Sequence, residues 1–122
     1  MERTRLIEHN GVRIVLLDYS GLRDIEEGLR EIAKTKVFIA GLPKNGSHLT
    51  LTDATDTAYD KRILDAMKDL TAHNKPYVKA AAVVSHSAIH RAAVSMVALF
   101  SRRNLTTFDT RAEALTWLVG QR

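Results

Sequence analysis

The chain has 122 residues, 45% of them hydrophobic, and a formal net charge of +4, which predicts one domain with a buried core. It contains no cysteine, which excludes disulfides and thiolate chemistry, and its basic residues are too scattered to predict a nucleic-acid surface. The first residues have no apolar signal core, and no apolar run reaches the roughly 18 residues of a membrane span, so we expect a cytoplasmic protein without a transmembrane segment.

The N-terminal part of the chain predicts a β-hairpin. Asn10 and Gly11 supply the two positive-φ positions that a tight hairpin turn requires. They separate a short strand ending at His9 from residues 12–17, which become continuously apolar. A continuously apolar strand is typical of a sheet that is covered on both faces, so the second strand should lie inside the sheet and the first at its edge.

A long helix is expected next. Asp24 and Glu27 have the spacing of a capping box, and apolar residues then follow at helical intervals. The short run from Val37 to Ala40 fits either a strand or the buried end of a helix. We interpret it as the end of this helix, which Gly41 closes.

The remainder of the chain alternates strands with helices. We expect a strand over residues 48–52, a helix from Asp56 or Thr57, a strand over residues 77–84, a helix from His86 to about Arg102, a strand over residues 105–108 and a helix opened by Thr110. The order ββαβαβαβα predicts an α/β fold with a mostly parallel sheet, an antiparallel N-terminal strand and helices on both faces. The strands at residues 12–17, 49–52 and 78–84 should be parallel neighbours.

Three segments resemble the bacterial STAS (SpoIIAA-like) domain family. They are residues 49–55, 73–85 and 108–118, and together they span nearly the whole chain. That family shares its α/β fold with anti-sigma-factor antagonists and with the lipid-carrying half of CRAL-TRIO proteins. The resemblance implies a single small module over residues 1–122 that acts by binding.

One position departs from the phosphorylated members of that family. Those members carry Asp-Ser-Ser-Gly at a strand end, where a serine is phosphorylated, whereas this chain reads Asp53-Ala54-Thr55-Asp56. The departure argues against the usual kinase-controlled switch. Thr55 and Thr57, beside the strand-end Asp53, are the candidates to replace the missing serine.

Other chemistry-bearing residues have ordinary structural explanations. Asp18 and Asp53 are expected at strand ends, where open parallel sheets bind ligands, but Asp is also common in such turns and as a helix cap. His86 and His90 share a helix face without a third metal ligand, and Ser85 precedes the helix without a Gly-x-Ser-x-Gly motif. We therefore predict no catalytic, metal-binding or cofactor-binding residue, and hence no enzyme.

The helix from His86 to about Arg102 is the least ordinary element, because it is apolar on every face between residues 92 and 100 except at Ser95. We expect one stripe to dock on the sheet: Ile89, Ala93, Met96, Val97 and Phe100. The residues that remain are candidates to face a partner or a ligand: Val94, Ala98 and Leu99. The adjacent Arg102 and Arg103 would suit an anionic head group or an acidic partner, although cations at the C-terminus of a helix explain them equally well.

We accordingly expect a regulatory module that acts through protein–protein contacts and forms a homodimer through this helix. The alternative is a carrier or sensor of a small hydrophobic ligand or lipid, as the CRAL-TRIO resemblance implies. Ordinary burial of the same helix face by neighbouring helices remains open.

Overall fold

The computed structural model describes residues 2–122 and contains one five-stranded sheet with four helices. The elements are β1 (Thr4–His9), β2 (Val12–Asp18), α1 (Ile25–Ala40), β3 (His48–Asp53), α2 (Lys61–Asn74), β4 (Val78–Val84), α3 (Ala88–Ser101), β5 (Leu105–Phe108) and α4 (Arg111–Val119). Within residues 2–122, no helix combines the length and the apolar character needed to cross a membrane.

The predicted fold class is confirmed. The strand order is β1-β2-β3-β4-β5, with β1 antiparallel to β2 and every other pair parallel. Asn10 and Gly11 have φ values of 51° and 75°, as the tight turn between β1 and β2 requires. The residues from Val37 to Ala40 form the last turn of α1, as interpreted from the sequence.

Each parallel connection moves one strand further in the same direction across the sheet. Because such crossovers are right-handed, α1, α2 and α3 lie on one face, and only α4 covers the other. Alternate residues of β2 therefore point to different cores: Ile14 and Leu16 pack under α4, whereas Val15 and Leu17 pack under α1 and α2. This division explains why β2 is apolar at consecutive positions.

Two predicted helix starts are wrong. Helix α2 begins at Lys61 because the Asp60 carboxylate accepts hydrogen bonds from the backbone N–H groups of Arg62 and Ile63, whereas Asp56 adopts a positive φ of 57°. Helix α3 begins after Ser87, two residues later than expected. Asp24 does occupy the N-cap of α1, but its side chain makes no capping hydrogen bond, so the expected capping box is not formed.

Candidate functional site

Helix α3 is rotated differently from the sequence prediction. Its large apolar side chains point away from the sheet, with Ile89 69%, Met96 50% and Phe100 62% exposed, so the prediction that they dock on the sheet is wrong. Leu99 is 81% exposed, as expected, and Val97 is buried. We call the outward-facing residues Ile89, Ala92, Met96, Leu99 and Phe100 the outer stripe of α3.

Two arginines hold the ends of α3 in this rotation. Arg91 Nε donates to the Ser85 backbone carbonyl at 3.0 Å, and its guanidinium pairs with Asp109. Arg103, just after the helix, donates from Nη1 to the Thr71 carbonyl on α2 at 3.3 Å. With these polar contacts in place, small residues of α3 face the sheet and the larger apolar residues lie on the opposite side of the helix.

A cavity of about 130 Å³ lies between α2, α3 and the sheet. Its walls on the sheet and on α3 include Leu17, Leu105 and His90, but most of their residues are small: Thr50, Thr52, Ala81, Val83, Ala93, Val94 and Val97. Small residues on two facing elements leave a space that close packing does not fill. The cavity extends along α2 from Ile63 to Thr71, a helical rise of about 12 Å.

Besides the hydroxyl-bearing Tyr19, Thr50, Thr52 and Thr57, the polar residues of the lining lie at the two ends of the cavity. Tyr59 and His90 line one end, where their rings meet edge to face with centroids 5.0 Å apart. Thr71, Asn74 and Arg103 line the other end. No aspartate or glutamate of residues 2–122 contributes to the lining. The cavity is therefore mostly apolar, is partly open to solvent and has a cation at one end.

Arg103 is half-buried and lacks a counter-ion. Its one hydrogen bond to the described residues reaches the Thr71 carbonyl, and within residues 2–122 no carboxylate oxygen lies within 4.0 Å of its guanidinium. Burial lowers the pKa of Arg103 from its ordinary value, the direction expected when a charge is desolvated without compensation. The neighbouring Arg102 is exposed and ends α3 in the left-handed conformation, with a φ of 54°.

The remaining candidate residues of α3 do not form one surface with Leu99. Val94 lines the cavity, whereas Ala98 is half-buried beside a shallow second cavity that Lys79 and Arg103 also border. The sequence therefore named residues from opposite sides of the helix as a single face. Helical spacing alone could not separate them because both sides are apolar.

The strand-end acids Asp18 and Asp53 meet at the carboxyl edge of the sheet and share one cation. Arg111 donates from Nε to Asp53 at 2.5 Å and from Nη2 to Asp18 at 2.9 Å. Partial burial raises the pKa of Asp18, but hydrogen bonds from Ser20 and Arg111 outweigh it, so the pKa lies below its ordinary value. Arg111 thus ties the start of α4 to the ends of β2 and β3.

Thr55 and Thr57 connect the loops at this edge. The Asp53 carboxylate accepts from the Thr55 backbone N–H at 2.9 Å, and the Thr57 hydroxyl donates to the Tyr19 carbonyl at 2.9 Å. Both threonines are half-buried. Phosphorylation at either hydroxyl stays a prediction, and it would have to break the Thr57 contact if it occurred there.

The histidines and serines at the start of α3 do not form a cluster. His86 is exposed, while His90 packs against Tyr59 at the cavity. The part of the chain that the structure describes holds no group of three or more potential metal-ligating side chains. The Ser85 hydroxyl is fully buried and has no hydrogen-bond partner among residues 2–122.

No family model, curated protein or solved structure matches this chain. The resemblance to STAS domains therefore stays a prediction. Sequence reasoning named Arg103 and Val94 but missed the cavity that relates them, and it missed Arg111 as the partner of Asp18 and Asp53. A signal for the cavity was present, because Thr50, Ala81 and Ala93 are small residues in elements that should face the core.

Proposed function

We propose that this protein is a non-enzymatic cytoplasmic module that binds a small, mostly apolar molecule in the cavity beneath α3. The observation that carries the proposal is the cavity itself, which is lined by small apolar residues of β4 and α3 and by larger ones of α2. An engineered cavity of about 150 Å³ with an apolar lining is known to stay dry and to take up benzene. The space beneath α3 has a volume of about 130 Å³, in the same range, but it is partly open to solvent, so a ligand can enter it from the surface.

The electrostatics at the carboxyl edge of the sheet favour binding over catalysis. Asp18 and Asp53 are both paired with Arg111, so neither is held ready as a general base in this arrangement. The resemblance to STAS domains, and through their fold to the lipid-carrying CRAL-TRIO domains, supports the same proposal. It remains an analogy of fold.

Toluene is a suitable first probe because one aromatic ring matches the cavity volume. We expect toluene to shift the NMR signals of the Leu70, Val83 and Val97 methyl groups, which belong to residues lining the cavity, and to raise the thermal midpoint. The variant Ala93→Leu would fill the space and abolish these shifts. Ala92→Leu is the matched control, because Ala92 is the exposed neighbour on the same helix.

Wild-type protein whose cavity methyl signals do not respond to toluene would overturn the proposal. So would equal loss of binding in Ala93→Leu and Ala92→Leu. Native mass spectrometry of protein purified without added ligand provides an independent measurement, in which a retained small molecule would support the proposal and identify the natural occupant.

The outer stripe of α3 supports a second candidate function, a homodimer that serves as a protein–protein interaction module. The large side chains of this stripe are at least half exposed and recur at helical intervals along α3. Such a stripe is self-complementary, because two copies of one helix can pair about a two-fold axis and cover each other. We therefore propose a second copy of this chain as its partner.

Leu99→Glu tests this second proposal. In a dimer it would bury an unpaired carboxylate against the partner, so we expect a folded monomer by sedimentation and circular dichroism. Ala112→Glu, which adds the same charge at an exposed position of α4, should leave the dimer intact. A wild-type protein that sediments as a monomer at micromolar concentration would contradict the homodimer.

A further inference from the structure

Arg103 makes the two ends of the cavity chemically different. The end near Tyr59 and His90 carries aromatic side chains, whereas the end near Thr71 carries a guanidinium. An arginine always retains its charge in proteins, and burial of a charge is unfavourable unless a partner compensates it. The described residues supply one backbone carbonyl and no carboxylate. Most of the guanidinium's donors are therefore free to bind a ligand.

We infer that the ligand of this cavity is an anionic amphiphile, with an apolar body between α2 and α3 and a carboxylate on Arg103. This inference rests on the proposed function and specifies its ligand. A carboxylate matches the guanidinium in shape, because two parallel N–H donors can meet its two oxygens. It also matches in charge, because the cavity is lined by one arginine and no acidic residue.

The surroundings of Arg103 favour the approach of an anion. The second cavity, which shares Arg103 with the apolar one, is also lined by Lys79, and no acidic residue among residues 2–122 lines it. Lys79 is exposed, so its ammonium stays hydrated and contributes to the local potential without a fixed contact. An anion that approaches from this side contacts the positive charges of Lys79 and Arg103 before its apolar part enters the cavity beneath α3.

Hexanoate and 1-hexanol are matched probes, because they share an apolar chain and differ in charge. By isothermal titration calorimetry at neutral pH, we expect wild-type protein to bind hexanoate about tenfold or more tightly than 1-hexanol. Arg103→Met keeps a long apolar stem but removes the charge. It should weaken hexanoate binding by about tenfold or more and leave 1-hexanol binding within about twofold.

Arg102→Met is the matched control, because Arg102 is the adjacent arginine, is exposed and does not line the cavity. It should leave both affinities unchanged. Arg103→Lys, which keeps a charge but loses the planar fork, should retain a preference for hexanoate that is weaker than in the wild type. If Arg103→Met does not fold, the titrations of Arg103→Lys and of wild-type protein with hexanoate and 1-hexanol test the inference instead.

The outcomes separate this inference from the proposed function. If wild-type protein binds 1-hexanol as tightly as hexanoate, the cavity takes apolar ligands without regard to charge, and the inference is wrong while the proposed function stands. If neither compound binds and toluene also fails, both are wrong. Equal weakening of hexanoate binding by Arg102→Met and Arg103→Met would assign the effect to general surface charge and would also overturn the inference.

Discussion

The two faces of the sheet are packed in different ways. On the face covered by α4, large side chains meet directly, and Ile14, Leu51 and Leu118 have no exposed area. On the face covered by the other three helices, Thr50 and Ala81 of the sheet lie opposite Ala93 of α3, and a cavity remains between them. The face with more helices is thus the less completely filled one.

The difference lies in which side of each helix faces the sheet. Helix α4 turns its buried residues Ala114 and Leu118 inward and fills its face with them. Helix α3 turns Ala93 and Val97 inward and leaves Leu99 and Phe100 in solvent. An apolar helix that turns its small side chains to the core and its large ones to solvent contributes less to stability than the opposite orientation would. This arrangement is the one that the proposed ligand below the helix and the proposed partner above it would require.

The largest expected effect is on the filled face. Leu118→Ala should lower the free energy of unfolding by about 2–5 kcal/mol, because it leaves a void in a closed core. Val97→Ala on the other face should cost only about 1 kcal/mol, because its side chain borders an existing cavity and already lacks some contacts. Urea denaturation of both variants measures the difference. Equal losses would show that the two faces are packed alike.

Two substitutions that enlarge a side chain, one on each face of the sheet, test the same difference in packing. Ala114→Leu adds volume to a site with no free space and should cost about 1–3 kcal/mol. Ala93→Leu adds the same volume beside the cavity and should leave stability unchanged or raise it by about 1 kcal/mol. Thermal denaturation followed by circular dichroism gives both values. A similar loss in the two variants would mean that the space beneath α3 is not available.

The helices of the two faces also differ in the polar contacts at their ends, which predicts that the stability of the protein depends on pH. Because the pKa of Asp18 is lowered by Ser20 and Arg111, its contribution to stability is present above the unfolded-state pKa of about 3.9 and is lost as the pH falls through the folded-state value. Asp18→Asn should therefore flatten the loss of stability below about pH 4. Denaturation midpoints between neutral and acidic pH provide the measurement.

Asp56→Asn is the control for this titration, because Asp56 also has a lowered pKa, caused by its hydrogen bond from Arg23, but lies on the surface. Solvent screens exposed ion pairs, so this variant should change the acid profile less than Asp18→Asn does. The reverse ranking would show that Arg111 does not hold α4 to the strand ends.

The smallest effect is expected on the outer stripe of α3. Ile89→Gln should change the free energy of unfolding by less than about 0.5 kcal/mol when measured on dilute, monomeric protein, because the side chain is 69% exposed. Guanidinium denaturation at low protein concentration is the appropriate assay. A loss comparable to that of Leu118→Ala would show that α3 is rotated so that this stripe is core.

Local sequence patterns predicted most of the fold. The Asn10-Gly11 turn, the continuously apolar β2 and β4 and the alternation of strands with helices were sufficient for the α/β architecture. The start of α2 was missed because several aspartates precede it, and only the hydrogen bonds of the Asp60 side chain decide which one is the cap. Helix boundaries depend on such contacts more than on periodicity.

The candidate site was accessible from the sequence only in part. Arg103 was named because of its charge beside an apolar helix, but its lack of a counter-ion depends on which carboxylates lie near it in space. The pairing of Arg111 with Asp18 and Asp53 joins residues far apart in the chain, and no local pattern marks it. Contacts of this kind follow from the order of strands in the sheet.

The sequence by itself determined that α3 is apolar on nearly every face, that the sheet is mostly parallel and covered on both faces, and that no cysteine chemistry is possible. Only the tertiary structure decided which side of α3 faces the sheet. The periodicity of a helix with two apolar sides does not distinguish them, so the orientation depends on tertiary contacts, among them those of Arg91 with Ser85 and of Arg103 with Thr71 at its two ends. In the structure the small side of α3 faces the sheet, and the cavity lies beneath it.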